Sequence, residues 1–181
     1  MSVNLFVTGR PGVGKTTLLA AVLDRLSVEA GGFFTREIRG ERGRLGFSIE
    51  DLAGETGVLA HVDLASEYRV GRYGVNRSDL ERVGVAALES AIERSELIVM
   101  DEIGRMELCS RPFRDAVIRA LDSAKPVLGT IQDRQNEFLN AVRARADVVV
   151  LRVTQENRDA MVGELLRRLD DVLGGRAAGT G

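Results

Sequence analysis

Near its N-terminus the chain reads Val3-Asn4-Leu5-Phe6-Val7-Thr8-Gly9-Arg10-Pro11-Gly12-Val13-Gly14-Lys15-Thr16-Thr17. A short apolar run passes at once into a Gly-rich segment. Leu18, Leu19, Val22, Leu23 and Leu26 then recur at helical spacing. The order is strand, loop, amphipathic helix, and residues 9–16 satisfy G-x-x-x-x-G-K-[ST] in full. Glycines let backbone N–H groups turn inward around a polyphosphate, and the start of the helix adds a partial positive charge. The compact Lys15 ammonium suits the β- and γ-phosphates, where a broad guanidinium would not fit. The Thr16 hydroxyl can coordinate Mg²⁺, and Thr17 can help hold the α-phosphate. The segment Gly9, Arg10, Pro11, Gly12, Val13, Gly14, Lys15, Thr16 and Thr17 is therefore the first candidate nucleotide site.

Working outward, Gly31-Gly32 reads as the end of this unit. Residues 33–39 and 44–52 then read as two strands around the turn Gly40-Glu41-Arg42-Gly43. A third strand is expected at about 57–62, so an antiparallel hairpin insertion spans about 32–62. Residues 63–76 read as a loop. A helix is expected from Ser78, with Glu81 at capping-box spacing and Leu80, Val83, Ala87, Leu88, Ala91 and Ile92 on its inner face. Leu97-Ile98-Val99-Met100 has the uniform apolarity of a central parallel strand. Ser110 and Pro112 open another helix. A strand at 126–131, a helix at about 134–145, a strand at 148–153 and a helix at about 155–173 follow. Strands alternating with helices imply a doubly wound three-layer α/β domain over 1–173, with 174–181 as a disordered tail.

The strand at 97–100 runs straight into Asp101-Glu102. A nucleotidase with such a loop needs a second carboxylate near Mg²⁺, and Asp101 supplies it. Glu102 can polarise a water for in-line attack on a γ-phosphate, a group that a small-molecule kinase does not need. Arg105 and Arg111, just beyond, can stabilise charge developing on the transferred phosphoryl group, Arg105 being the candidate taken forward.

Composition excludes several other classes. Of 181 residues, 44% are hydrophobic and 29% charged, and the net charge is −2, which argues against a general binder of nucleic acid or membrane surfaces. Aromatics make up 4% and Trp is absent, so stacking platforms for single strands are not expected. One Cys and one His exclude a disulfide framework and a structural zinc site. The N-terminus lacks a signal-peptide pattern and no run is long enough to span a bilayer, so a cytoplasmic monomer is expected. Only Lys15 and Lys125 are Lys, against 23 Arg.

Together GRPGVGKTTL at 9–18, GFFTREIR at 32–39, RLGFSIEDLAG at 44–54, VGRYGVN at 70–76, IVMDEIGRMEL at 98–108 and VTQENRD at 153–159 resemble a family of small P-loop nucleoside-triphosphatases. That family has thermophilic bacterial and archaeal members and a human cancer-related relative. The resemblance implies a P-loop NTPase fold with a β-hairpin insertion. It also implies Mg²⁺-dependent hydrolysis of ATP, GTP, CTP and UTP to the diphosphate, with little base selectivity. By it, Lys15 and Thr16 contact phosphate and Mg²⁺, Asp101 is the second Mg²⁺ carboxylate and Glu102 the catalytic acid, while Ile103 and Gly104 continue the nucleotide-binding segment. The chain departs from the pattern at Arg105, where many relatives carry Lys, and at Gln132-Asp133, where they often have apolar or Pro-containing sequence.

Two other functions compete: a kinase of adenylate-kinase type, with its acceptor near 33–75, and a slow nucleotide-gated switch acting on a protein or RNA partner. Arg36, Arg39, Arg42 and Arg44 read as a solvated hairpin edge. Arg69, Arg72 and Tyr73 read equally as a lid or a structural turn. Asn157-Arg158-Asp159 follows the last strand, on the ligand side of a parallel sheet, although Thr154 and Asn157 can instead cap the last helix. His61 reads as a surface strand residue and Cys109 as structural.

Overall fold

The computed structural model of the chain describes residues 3–174. β1 (Asn4–Thr8) is buried along its whole length. Leu5 and Val7 enter one core cluster and Phe6 the other, the alternation required of a strand covered on both faces. After the Gly-rich loop, α1 (Lys15–Leu23) buries Leu18, Leu19 and Val22. β2 (Ala30–Gly40), β3 (Gly43–Asp51) and β4 (Thr56–His61) come next, followed by the short β5 (Arg69–Val70) and β6 (Tyr73–Val75). A helical stretch opens with α2 (Arg77–Asp79), passes through a π-helical segment at Leu80–Val85 and continues as α3 (Ala86–Arg94). The alternation ends with β7 (Leu97–Ile103), α4 (Arg111–Asp122), β8 (Val127–Ile131), α5 (Glu137–Arg143), β9 (Val148–Arg152) and α6 (Arg158–Leu173).

The strands form one sheet in the order β5-β6-β4-β3-β2-β7-β8-β1-β9. From β2 to β9 every pairing is parallel, and beyond β2 every pairing is antiparallel. On one face Leu5, Val7 and Val99 pack with Leu19 of α1 and Leu165 and Leu169 of α6. On the other, Phe6, Ile98 and Met100 pack with Leu88 of α3, Phe113 and Val117 of α4 and Leu139 of α5. This is the expected three-layer α/β architecture, with α4 opening as read: Ser110 Oγ accepts from the Phe113 N–H at 3.2 Å.

Several local readings are corrected. Gly31-Gly32 does not end the first unit but lies inside β2, where Ala30 to Phe34 pair with Leu97 to Asp101. A Cβ on Gly32 would lie 2.0 Å from the Val99 carbonyl oxygen, so the glycine pair marks a close strand approach. β2 is thus both a core strand and the first arm of the hairpin, and the insertion continues the main sheet instead of standing apart from it. It also runs further than 62: the segment read as a loop at 63–76 contains β5 and β6, too short to show periodicity. The next helix is capped by Asn76, whose Oδ1 accepts from the Asp79 N–H at 3.1 Å, and not by Ser78. Glu81 is drawn elsewhere, accepting from the Ser110 hydroxyl at 2.7 Å. Of the tail read as 174–181, residues 175–181 lie outside the described residues.

Candidate active site

The carboxyl ends of β1, β8 and β7 are neighbours, and the site grows from what each one delivers. β1 delivers the Gly-rich loop. Thr8 Oγ1 donates to the Ile131 carbonyl at 2.8 Å, which ties the end of β1 to the end of β8. Gly14 caps α1 with φ 102° and ψ 28°, a left-handed conformation that glycine adopts without penalty. It leaves the first N–H groups of α1 directed at the loop's interior, the arrangement that favours an anion. Lys15 Nζ folds over the loop and donates to the Gly9 and Arg10 carbonyls at 2.9 and 3.2 Å. Arg10, Pro11, Gly12 and Thr17 are exposed, whereas Val13 anchors the loop in the core.

β7 delivers the acids. Asp101 is 2% exposed and accepts two short hydrogen bonds, from Thr16 Oγ1 at 2.7 Å and from Thr130 Oγ1 at 2.6 Å. Burial holds its pKa above the ordinary carboxylate value, against the pull of Thr130, Thr16 and the charges of Lys15 and Arg36. Glu102 is half-buried, and burial raises its pKa to about 7, opposed by the Lys15 charge and reinforced by that of Asp101. The β7–β8 ladder breaks between Met100 and Ile103, which frees the backbone at the two acids. Ile103 resumes pairing with Ile131, and its side chain belongs to the core.

The turn after β7 is held from two sides. Glu107, 4% exposed, accepts from the Gly104 N–H at 3.1 Å. Gln132, the residue following β8, accepts from the Arg105 N–H at 3.0 Å through Oε1. Burial, then the charge of Glu102, pushes the Glu107 pKa up to about 8. Arg105 itself is exposed.

Thr16 and Asp101 offer a hydroxyl and a carboxylate in mutual contact at 2.7 Å, a hard-oxygen pair that fits Mg²⁺. Mg²⁺ typically takes one or two protein oxygens and completes its octahedron with water and substrate phosphate. The residues present therefore suit the ion.

Other singled-out residues fall into place around this centre. Arg36 bonds Glu50 at 3.0 Å, yet its charge also reaches Asp101, so it borders the site as well as the hairpin. Arg39 and Arg44 pair with Glu37. The Arg69–Tyr73 segment is a structural hairpin: the Arg72 guanidinium lies 5.2 Å from the Tyr73 ring centroid, and Tyr73 meets Phe47 edge-on at 5.4 Å. Asn157 closes its own loop through the Thr154 N–H at 2.8 Å and the Arg152 carbonyl at 2.9 Å. Arg158 comes beside the Gly-rich loop, with Nη1 4.0 Å from where a Cβ on Gly14 would stand. Arg111 pairs with Asp115 at 3.7 Å on α4. His61 accepts from the Asp63 N–H at 3.2 Å, and burial pushes the Cys109 thiol up to about 11. Thr130, Gln132 and Glu107 carried no assignment in the sequence reading. The available signal was polarity at or just past the end of an apolar strand, where a parallel sheet exposes its ligand side.

A Gly-rich loop at a helix start, facing a buried carboxylate two strands away across one mostly parallel sheet, defines the class: an α/β nucleotide-binding domain. The chain belongs to the NTPase family, whose profile matches residues 4–166. It is 48% identical to the nucleoside-triphosphatase THEP1 of Thermotoga sp. strain RQ2 over 163 residues, covering 90% of this chain and 93% of that protein. The crystal structure of THEP1 from the hyperthermophile Aquifex aeolicus superposes with a TM-score of 0.85 at 35% identity, covering 94% of this chain and 99% of the other. The solution structure of a human cancer-related nucleoside triphosphatase gives a TM-score of 0.80 at 35% identity, covering 94% and 98%. Among the described residues, no helix is long and apolar enough to cross a membrane.

Proposed function

We propose that this chain is a Mg²⁺-dependent nucleoside-triphosphatase that cleaves the γ-phosphate of ATP, GTP, CTP and UTP, giving the diphosphate and phosphate. The observation that carries the reading is the convergence of Lys15, Thr16, Asp101 and Glu102 at three neighbouring strand ends. The family relationship supports it, since the relatives above are named nucleoside-triphosphatases.

The loop N–H groups and Lys15 bind the triphosphate, and Lys15 exchanges its two carbonyl partners for phosphate oxygens. Thr16 and Asp101 would hold Mg²⁺, which when bound neutralises charge on the β- and γ-phosphates. Glu102 accepts the proton of a water that attacks the γ-phosphorus. The bond from that phosphorus to the bridging oxygen breaks, and the diphosphate leaves with the oxygen. A carboxylate with a pKa near the working pH suits this task, because it is substantially ionised yet basic enough to take a proton. Arg105 supports charge on the departing groups from the rim. The reading extends to all four nucleotides because the contacts it rests on are made to the triphosphate. The Glu102 carboxylate favours hydrolysis over phosphoryl transfer to a second substrate, which needs no water-activating base.

The test is phosphate release from the four nucleotides with Mg²⁺ by the wild type and by Glu102→Gln. Release by the wild type from all four is expected, with a loss in the variant on the order of 10²-fold or more and nucleotide binding retained. Tight binding without release from any nucleotide would overturn the reading in favour of a kinase or a switch.

A further inference from the structure

Gln132 occupies a position that the reaction described above leaves without a role. Its backbone is fixed on both sides: its N–H donates to the Ile103 carbonyl at 3.0 Å, and the Arg143 guanidinium of α5 donates to its carbonyl. The same guanidinium donates to the Arg134 carbonyl at 3.0 Å, which holds the segment after β8 as a unit. The side chain is therefore presented from a rigid base.

Its orientation is also determined. A backbone N–H can only donate, so the amide oxygen must be the atom facing the Arg105 N–H, at 3.0 Å. That leaves the amide N–H₂ for the remaining neighbour, and it donates to the Glu102 carboxylate. The amide lies flat against Gly104. A Cβ there would come within 2.7 Å of Gln132 Cδ and 2.9 Å of Nε2, so the absence of a side chain at 104 provides the room. One side chain thus spans the acid and the turn that carries Arg105, from a strand other than the one bearing both.

We propose that Gln132 is a positioning residue for hydrolysis: its amide ties the Glu102 carboxylate to the backbone of Arg105, fixing one carboxylate oxygen and leaving the other to receive the water. This rests on the assignment of Glu102 as the proton acceptor. A displacement of about 1 Å at a reacting group can cost on the order of 10²-fold in rate, whereas substrate contacts made elsewhere are untouched. The effect therefore belongs in kcat and not in KM.

The experiment is a double-mutant cycle read as kcat and KM for ATP with Mg²⁺, using Gln132→Met, which keeps the volume and loses both bonds, and Glu102→Gln. Gln132→Met alone should lower kcat on the order of 10-fold or more with KM within about twofold. In the Glu102→Gln background it should have no further effect on the residual turnover. Gln132→Glu, which keeps the bond to Arg105 but puts a carboxylate against Glu102, should lower kcat at least as far as Met. An unchanged kcat in both Gln132 variants would overturn the proposal. So would a loss of the same size with and without the Glu102 carboxylate, since that is the signature of a merely structural role. If Glu102→Gln alone leaves kcat intact, the assignment of the acid fails instead, and the two failures are distinguished within one data set.

Discussion

At the scale of single residues, the site concentrates three carboxyl groups, Asp101, Glu102 and Glu107, and treats each differently. Asp101 is fully buried and takes two hydroxyl donors. Glu102 is half-buried and faces Lys15. Glu107 is buried with one backbone N–H and two acidic neighbours, and its pKa stands at about 8 against an ordinary 4.5. The folded state holds the Glu107 proton more tightly than the unfolded chain does. Its contribution to stability is full below pH about 4.5 and is lost as the pH rises through about 8. Glu107→Gln keeps an acceptor for the Gly104 N–H and removes the titration. We predict that wild-type stability falls between pH 5 and pH 8, and that the variant flattens this fall by an amount on the order of a few kcal/mol. Denaturant midpoints across that range check it, and parallel curves for the two proteins would show that Glu107 is not held protonated. None of this was legible in the run DEIGRMEL, because the pKa comes from what surrounds a residue and not from which residue it is.

At the scale of elements, the helix that follows β6 and α4 show how capping signals compete. Ser78 with Glu81 carries the spacing of a capping box, yet Asn76 takes the cap. Glu81 instead receives the hydroxyl of Ser110, 29 residues away. Ser110 is completely buried and does two things at once, accepting from the Phe113 N–H and donating to Glu81. Ser110→Ala should therefore destabilise the protein by about 1–2 kcal/mol, at or above the usual cost of losing a cap. Urea denaturation measures this, and no change would show that the first turn of α4 needs no cap. The Ser110–Pro112 start was readable because its signal lies within four residues. The fate of Glu81 was not, since it depends on α4 packing beside the π-helical segment.

At the scale of the whole molecule, β2 is the hinge of the architecture. Phe33 pairs in parallel with Met100 and antiparallel with Asp51, and its ring meets Phe113 edge-on at 5.6 Å. The antiparallel extension and the parallel core thus share one strand and one hydrophobic cluster. We predict a single cooperative unfolding transition for the whole sheet, and Phe33→Ala should lower its stability by about 3–5 kcal/mol without splitting it in two. Two separate transitions by calorimetry would show that the extension folds on its own. The sequence by itself determined the strand–loop–helix start, the apolar strand ending in Asp101-Glu102 and the α/β alternation. Each is a pattern among residues close in the chain, where local backbone preference and burial period decide the outcome. Only the tertiary structure decided that Gly31-Gly32 lies inside a strand, that Thr130 shares Asp101 with Thr16, and that Gln132 reaches Glu102 and Arg105. The physical reason is register: the parallel pairing of β7 with β8 brings groups about 30 residues apart within hydrogen-bonding distance, and no local spacing encodes that.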